Sequence, residues 1–344
     1  MDELLKKLLC VSGVSGHEKE VAGIMQQELK KSCDEVAVDN FGNVIGRKGK
    51  SGKKIMLAAH MDEIGLMVKH VSKEGCINFI KIGGIDDRIL LGQRVVIKTK
   101  KGDVLGIIGS KPPHLQKEEE KKHPVKYEDM FIDIGCKNRE EALERVCLGD
   151  AVAFEPNAGE LSGGLYYGKA VDDRVGCFIL LRVMERLKAD AEVYAVATAQ
   201  EEVGLKGART SSFRINPDFA VAIDTTMAGD TPGIKESETP LKLGEGVAVI
   251  VIEAGGRGII VSEKTKEIFL GTARENKIRH QVAVIEGGMT DGAMIYMNRE
   301  GVPTGVLSVP VRYVHAPTGV FSMDDVDSAV ELIVKVVEKA ANEK

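Results

Sequence analysis

The sequence predicts an α/β protein in which a mixed sheet is covered by helices on both faces and a small all-β domain is inserted. From about residue 165 to the end of the chain, helical and strand-like patterns alternate, which is typical of a sheet covered by helices. From about residue 65 to 160, short β-type runs instead follow one another between Gly and Pro residues. This spacing indicates a small barrel or sandwich.

The N-terminal part is predicted to begin with two helices. Residues 1–11 have apolar side chains at helical spacing, and a second amphipathic helix is predicted over roughly 17–31. Ser15 and Glu18 stand at the spacing of a capping box, in which each side chain bonds the other's main-chain N–H.

An apolar run over 53–60 predicts a strand that ends at His60. This strand has no partner sheet within the β-rich stretch. We therefore expect the α/β domain to be discontinuous, with the divisions 1–64, 65–160 (the all-β insert) and 161–344.

The alternating part is predicted to contain helices and strands in turn. The expected helices lie at 171–189, 261–277, 292–300 and from Asp324 onward, and the expected strands at 191–200, 217–224, 247–254, 281–287 and 302–310.

Composition excludes several classes of partner. The net charge is -5 without a basic stripe, only 4% of residues are aromatic, and Trp is absent, so we expect no nucleic-acid partner. No apolar run approaches the roughly 18 residues that span a membrane, and the mixed-charge N-terminus does not resemble a signal peptide. These features predict a cytoplasmic protein without a membrane partner, whose six dispersed cysteines are free thiols.

Histidines and carboxylates follow almost every relevant predicted strand. They are His60, Asp62, Glu63, Glu201, Glu202, Asp224 and His315, and the loop before the long helix adds Asp172 and Asp173. Because ligands of open α/β sheets gather beyond the carboxyl ends of the strands, we expect these side chains to meet. The histidines of the charged loop at 111–126, His114 and His123, are assigned no metal role.

Each of these residues alone has a structural explanation, such as a helix cap or a solvated carboxylate. Together they favour a divalent cation such as zinc or cobalt, because clustered carboxylates without one would repel and take up protons. Asp62 has the position to fix the tautomer of His60. Of the adjacent pair Glu201 and Glu202, one carboxylate can bind metal while the other stays free as a general base.

Six blocks then occur in order along nearly the whole chain: AAHMDEIG, GKAVDDRVG, TAQEEVGLKGA, AIDTT, GGMTDGA and VPVRYVHAP. On these blocks the chain resembles the tetrahedral (TET) aminopeptidases, the group that includes glutamyl and deblocking aminopeptidases. Some members were once labelled endoglucanases.

The resemblance implies two divalent metal ions per subunit, Zn²⁺ or Co²⁺. His60 and Asp224 would bind one ion, Glu202 and His315 would bind the other, and Asp172 would bridge both. The ions would activate a bridging water and so make the protein a metalloprotease that removes N-terminal residues from peptides.

The resemblance also implies that Glu201 is the general base, that Asp62 orients His60, and that the peptide bond between Asp172 and Asp173 is cis. It implies a PDZ-like or barrel-like dimerisation insert at about 65–160. The subunits would form a homododecamer, a hollow tetrahedral assembly of six dimers.

One departure from the family pattern concerns substrate binding. Where the family often has GGGTDA, this chain has GGMTDG, which places Met289 beside Thr290 and Asp291. If this turn borders the specificity pocket, Met289 would favour apolar side chains; the alternative is that it only fills a gap.

Two other functions stay open at this point. One is a different hydrolase with the same metals, such as a deacylase or, less well matched, a glycosidase. The other is a non-catalytic assembly or binding protein. A panel of aminoacyl-anilides with added zinc or cobalt, with and without chelator, distinguishes them.

Overall fold

The computed structural model describes residues 1–342, apart from the side chain of Glu120. Helices and strands are numbered in chain order. The α-helices in this part of the chain are α1 (Glu3–Cys10), α2 (Lys19–Leu29), α3 (Arg139–Arg145), α4 (Val171–Arg186), α5 (Lys206–Ile215), α6 (Glu263–Asn276), α7 (Asp291–Tyr296) and α8 (Met323–Asn342). The strands are β1 (Glu35–Val38), β2 (Val44–Lys48), β3 (Lys54–His60), β4 (Gly65–Val71), β5 (Ile77–Ile82), β6 (Arg94–Thr99), β7 (Gly102–Ser110), β8 (Met130–Asp133), β9 (Ala151–Phe154), β10 (Ala158–Glu160), β11 (Leu165–Gly168), β12 (Glu192–Thr198), β13 (Phe219–Met227), β14 (Val247–Ile252), β15 (His280–Val284), β16 (Thr304–Val311) and β17 (Gly319–Ser322).

The central sheet has eight strands in the order β1–β2–β12–β3–β13–β16–β14–β15. Strands β12, β3, β13 and β16 run parallel to one another, whereas β2 and β14 run antiparallel to their neighbours β12 and β16. The sheet is therefore mixed. The carboxyl ends of its four central strands meet at one edge.

Strand β3 shows how both faces of the sheet are covered. Ile55, Leu57 and Ala59 belong to a large apolar core that also contains residues of α1, α2, α4 and α8. Met56 and Ala58 point the other way, into a smaller core with residues of α5 and α7. Successive side chains of a strand point to opposite faces, so a strand covered on both faces needs a continuous apolar run. The predicted fold class is confirmed.

Strands β4 to β9 form a closed barrel in the order β4–β5–β8–β7–β6–β9. Its separate apolar core includes Leu66, Ile97, Ile108 and Val152. The predicted all-β segment is thus a barrel and not a sandwich. The domain boundaries themselves, at 64/65 and 160/161, stay predictions.

A second, three-stranded sheet in the order β10–β11–β17 was not predicted. It joins residues near position 160 to a strand close to the C-terminus. Its strands have only three or four residues. Runs this short are too brief for hydrophobic periodicity to reveal them.

The predicted capping box at the start of the second helix is wrong. Helix α2 begins at Lys19 and has no side-chain cap. The Ser15 hydroxyl instead donates to the carboxylate of Asp62, and the Glu18 carboxylate accepts from main-chain N–H groups outside the helix. Partners distant in sequence have displaced the local pairing that the spacing indicates.

A buried ion cluster lies below the carboxyl end of β3. The ammonium of Lys169 lies 2.6 Å from Glu63 Oε2, and Arg174 Nη2 lies 3.6 Å from Glu63 Oε1. Arg174 also donates to the main-chain oxygens of Met61 and Leu8. A buried charge without its partner would be strongly destabilising. The cluster therefore fixes the end of β3 against the start of α4 and the end of α1.

The six cysteines are all free thiols, and Cys177 alone is buried. Among residues 1–342, no helix is both long and apolar enough to cross a membrane.

Candidate metal centre

The predicted site residues lie together at the carboxyl edge of the central sheet. His60 is the last residue of β3 and pairs in register with Thr198, the last residue of β12. Asp224 lies one strand further along, on β13. The predicted strand ended at Asp224, but β13 continues to Met227 because it stays paired with β16.

His60 is surrounded by carboxylates. Its Nε2 lies 3.2 Å from Asp172 Oδ1, 3.9 Å from Asp224 Oδ1 and 4.0 Å from Glu201 Oε2. Its Nδ1 lies 3.2 Å from the main-chain oxygen of Asp62. One ring nitrogen is therefore held by the protein, while the other faces the acidic groups.

His315 forms a second such centre. It follows β16 in a turn where its own φ is 59°. Its Nε2 lies 3.3 Å from Asp172 Oδ2 and 3.6 Å from Glu202 Oε2, and its Nδ1 lies 3.0 Å from the main-chain oxygen of Gly84. Asp172 thus stands between two histidines and turns one carboxylate oxygen toward each.

The donor atoms fit divalent cations. Two overlapping sets, His60 with Asp172 and Glu202, and His60 with Asp173 and Asp224, each have ligand atoms within 4.8 Å of one another. Glu202 Oε1 is buried without a hydrogen-bond partner in the described part of the chain. A cation would satisfy such an atom, and neutral imidazole with carboxylate is a donor set that zinc and cobalt accept.

Asp173 belongs to this geometry, although sequence reasoning gave it no role. Its Oδ2 accepts the main-chain N–H of His60 at 3.2 Å, and its Oδ1 accepts that of Gly176 at 3.0 Å. The peptide bond that joins it to Asp172 is cis, as the resemblance implies. With both oxygens engaged by main-chain N–H groups, Asp173 holds the backbone beneath the centre.

The carboxylates affect one another's ionisation. Burial raises the pKa of Asp224 well above its usual value, and the negative charge of Asp172 adds to this. Burial likewise raises the pKa of Glu201 well above its usual value, and it raises that of Glu202 to about 7, with Asp172 contributing. Without a cation, the centre therefore tends to bind protons.

The carboxylates in turn raise the pKa values of the two histidines. A hydrogen bond with Asp172 raises the pKa of His315 to about 9. Burial alone would lower the pKa of His60, but Glu201 and the other carboxylates around it raise it well above its usual value. Burial opposes ionisation of Asp172 as well, yet hydrogen bonds from the two histidines lower its pKa. Positive charge is thus favoured where the predicted ions would lie.

Asp62 has more contacts than the predicted role of orienting His60 requires. Its Oδ1 lies 3.5 Å from His60 Nδ1 and accepts the main-chain N–H of Glu201 at 2.9 Å. Its Oδ2 accepts the N–H of Glu202 at 3.2 Å and the hydroxyl of Ser15 at 2.6 Å. The side chain is completely buried. Asp62 therefore joins β3 to the loop that contains both glutamates.

A cavity of about 640 Å³ opens over this centre. Met289 and Thr290 line it, and the exposed fraction of Met289 is 46%. Asp291 lies behind the lining, 3% exposed, and accepts the hydroxyl of Thr198. The structure therefore brings two of the three predicted substrate residues to the cavity surface and the third beneath it.

Glu253 also lines the cavity and was missed by sequence reasoning. It is 1% exposed and accepts the hydroxyl of Thr290 at 2.7 Å. The predicted strand at 247–254 included this position, whereas β14 ends one residue before it. A correct strand end would have added Glu253 to the candidates.

Comparison with known proteins gives one consistent family. The family model for the M42 glutamyl aminopeptidases matches residues 42–332. A lysyl aminopeptidase of Pyrococcus furiosus is 35% identical over 98% of this chain and 96% of its own length. These comparisons favour the aminopeptidase over the deacylase, glycosidase and assembly-protein alternatives.

Solved structures of high similarity also come from aminopeptidases and peptidases of the TET type. A TET aminopeptidase from a marine sediment archaeon of the Thaumarchaeota superposes with a TM-score of 0.94 at 39% identity, over 98% of this chain and 95% of that one. The TET1 peptidase of Pyrococcus horikoshii, which can assemble into a tetrahedron or a large octahedral shell, superposes with a TM-score of 0.88 at 34% identity, over 97% and 98% of the two chains.

We expect the stability of the metal-free protein to fall as pH rises from about 6 to about 9. A carboxyl with a raised folded-state pKa, such as Glu202 at about 7, stabilises the fold only while it is protonated. A histidine with a raised pKa, such as His315 at about 9, acts in the same direction, although its 41% exposure lets solvent screen part of the effect. Thermal unfolding of chelator-treated protein across this range measures the slope.

Added Zn²⁺ or Co²⁺ should reverse this trend. Metal binding requires the deprotonated ligands, so the rise in Tm on metal addition should grow with pH. At free metal about 100-fold above its Kd, the stabilisation should be about 2.7 kcal/mol. Glu202→Gln is the matched control and should reduce both the pH slope and the metal-induced shift. A Tm that is independent of pH and of metal would contradict the assignment.

Proposed function

The chain belongs to the M42 glutamyl aminopeptidase family and is a metal-dependent aminopeptidase, and from that premise we propose how its residues carry out the reaction. It removes N-terminal residues from peptides, with two divalent cations, Zn²⁺ or Co²⁺, in each subunit. The main observation in support is the position of Asp172, whose oxygens lie 3.2 and 3.3 Å from Nε2 of His60 and His315. A carboxylate between two imidazoles suits a shared ligand of two ions. A cytoplasmic location stays a prediction from the sequence.

The proposed ligands divide into two groups. His60 and Asp224 would hold one ion, Glu202 and His315 would hold the other, and Asp172 would be shared between them. The distances between His60 and Asp224 and between His315 and Glu202, 3.9 and 3.6 Å, support this division. Two groups with one histidine each leave neither ion dependent on carboxylates alone, which is consistent with the preference of zinc and cobalt for imidazole.

Glu201 is the proposed general base. It is 9% exposed, lies on the cavity lining, and its Oε2 is 4.0 Å from His60 Nε2. When bound, the two ions polarise the scissile carbonyl and lower the pKa of water at the site. Glu201 takes the proton from the attacking water and passes it to the leaving amine. A carboxyl whose pKa is raised by burial is suited to holding that proton between the two transfers.

Replacing Glu201 by Gln tests this assignment. Glu201→Gln should lower kcat by about 10²- to 10⁴-fold, the usual contribution of a general base, while both metal ions remain bound. Aminoacyl-anilide hydrolysis and metal content per subunit are the two measurements.

Glu202→Gln is the matched control, since the substitution is the same one residue along the chain. It should lose activity together with the second ion, because it removes a ligand carboxylate. Normal turnover by Glu201→Gln would show that the proposed base is wrong.

Met289, Thr290 and Asp291 are proposed to take part in substrate binding. Met289 stands on the cavity lining together with the apolar side chains of Met227 and Ile285. We propose that this wall contacts the N-terminal side chain of the peptide and favours apolar residues. Thr290, through its bond to Glu253, and Asp291, behind the lining, hold the wall in place.

Removal of the Met289 side chain should reduce the preference for apolar N-terminal residues. Met289→Gly should lower kcat/KM for leucyl and methionyl substrates several-fold more than for alanyl substrates, because about 1–3 kcal/mol of apolar contact is lost. Met297→Gly is the control, since Met297 is exposed but outside this cavity. An unchanged order of substrates would remove the hypothesis and leave Met289 as a filler.

The barrel is proposed as a dimerisation domain, with boundaries at about 65 and 160, and the dimers as parts of a tetrahedral dodecamer. The support is an apolar surface on β7, where Leu105 and Ile107 are 66% and 55% exposed and point to the same side of the strand. Exposed apolar groups of this kind mark interfaces. The assembly of the Pyrococcus horikoshii relative is consistent with this proposal.

Charges on this surface should weaken the assembly. The double variant Leu105→Glu and Ile107→Glu should elute as a smaller species in size-exclusion chromatography with light scattering, because like charges would face each other across a two-fold interface. Leu148→Glu is the control, since Leu148 is 58% exposed on the same segment but lies outside β7. A double variant of unchanged mass would rule out this face.

A further inference from the structure

The turn before α2 packs against the loop that contains Glu201 and Glu202. We propose that Ser15 and Glu18 are positioning residues, which hold the main chain of 200–202 so that both glutamates face the centre. The inference rests on the roles proposed above for Glu201 and Glu202, and it adds an N-terminal element to the catalytic machinery.

Three consecutive main-chain N–H groups beyond the end of β12 are bound by two carboxylates. Gln200 donates to Glu18 Oε1 at 3.2 Å, Glu201 donates to Asp62 Oδ1 at 2.9 Å, and Glu202 donates to Asp62 Oδ2 at 3.2 Å. Gln200 has a φ of 57°, a backbone conformation that residues other than Gly rarely adopt. The backbone here is not fixed by sheet pairing. These three bonds therefore hold its N–H side, while the main-chain oxygens of Gln200 and Glu201 accept from N–H groups of residues 204–206.

Ser15 fixes the carboxylate that two of these bonds depend on. Its hydroxyl donates to Asp62 Oδ2 at 2.6 Å, and both side chains are buried, with exposed fractions of 6% and 0%. The main chain of Ser15 donates to the oxygen of Glu63 at 3.3 Å, and Val14 pairs with Glu63 as an isolated parallel bridge. The position of the Ser15 hydroxyl is therefore fixed twice, by the main-chain pairing with Glu63 and by its own hydrogen bond to Asp62.

Glu18 is held in a similar way. Its Oε1 accepts the N–H of Gly16 at 2.7 Å as well as that of Gln200, and the residue is 8% exposed. A Glu at this position would ordinarily reach back to the main chain of Ser15 and stabilise the helix start. Both side chains of the predicted capping box are instead directed to the loop and to Asp62. Helix α2 begins without that stabilisation, which indicates that the two side chains have another role.

The proposal makes a specific prediction about kinetics. Loss of either side chain lets the 200–202 main chain shift, which moves Glu201 away from the water and Glu202 away from its ion. Turnover and retention of the second ion should fall together, whereas KM should change little because the cavity wall is untouched.

Ser15→Ala and Glu18→Ala test the proposal in the full-length, metal-loaded protein. Each should lower kcat at least about tenfold, the loss expected for a hydrogen bond to a charged group, and each should release one of two zinc ions at lower chelator concentration. The conservative variants Ser15→Thr and Glu18→Gln keep an acceptable hydrogen-bonding atom and should restore most of both properties. Ser12→Ala and Glu20→Ala, on the same segment, are the controls and should behave as wild type.

A double-mutant cycle separates positioning from general stability. In an Asp62→Asn background, Ser15→Ala should cause little further loss of kcat, because its effect passes through that carboxylate. Fully additive losses, or alanine variants with a lowered Tm but a wild-type kcat and wild-type zinc retention, would overturn the proposal. Should one alanine variant fail to fold, the other decides by the same measurements.

The proposed function and this inference fail in different ways. If Glu201→Gln keeps normal turnover, the general base is wrong and the proposed function fails. If Glu201→Gln is inactive while Ser15→Ala and Glu18→Ala keep wild-type kcat and zinc retention, only the positioning role fails.

Discussion

Burial of several carboxylates at one edge of a sheet is the constraint on which the rest of this structure depends. An isolated buried carboxylate is unfavourable, and several together raise one another's pKa until they bind protons. The protein offsets this with two imidazoles, with main-chain N–H groups and, in the metal-loaded state, with cations. Asp172 shows the balance most clearly, since burial opposes its ionisation while the hydrogen bonds and the charges of His315 and His60 lower its pKa. The parallel direction of β12, β3 and β13 is what brings the acidic residues to a common edge.

Beneath the site carboxylates lies the buried ion cluster of Glu63, Lys169 and Arg174. Two of its members adjoin site residues along the chain, because Glu63 follows Asp62 and Arg174 follows Asp173. A cation and an anion buried together can be neutral in net stability, but they fix geometry, since any shift leaves a charge without its partner. The centre is thus held from below by ion pairs and from the side by the turn that precedes α2.

Much of the fold and of the candidate site could be predicted from the sequence, because one rule applies to both. The rule is that a strand buried on both faces is a continuous apolar run, and that site residues follow its carboxyl end. The apolar runs predicted the central strands, and the polar residues after them predicted that His60, Glu202 and His315 are neighbours. The same rule missed Glu253, because the predicted strand was drawn two residues too long. It could not assign Ser15 and Glu18 either, since their spacing fits a local cap equally well and only tertiary contacts distinguish the two uses. The three-stranded sheet went unpredicted because its short strands are specified by their neighbours and not by their own pattern.

The contact between the turn that precedes α2 and the loop at 200–202, together with the late position of His315, has a consequence for biosynthesis. Residues that build the centre emerge from the ribosome at widely separated times, from position 15 to position 315 of 344. The barrel can close much earlier, because its strands lie within one continuous segment. During synthesis, the barrel can therefore be folded while the metal centre still lacks His315. A chain that ends before β16 would lack His315, one of the two histidines of the centre, and should therefore bind metal poorly whatever the supply of cations.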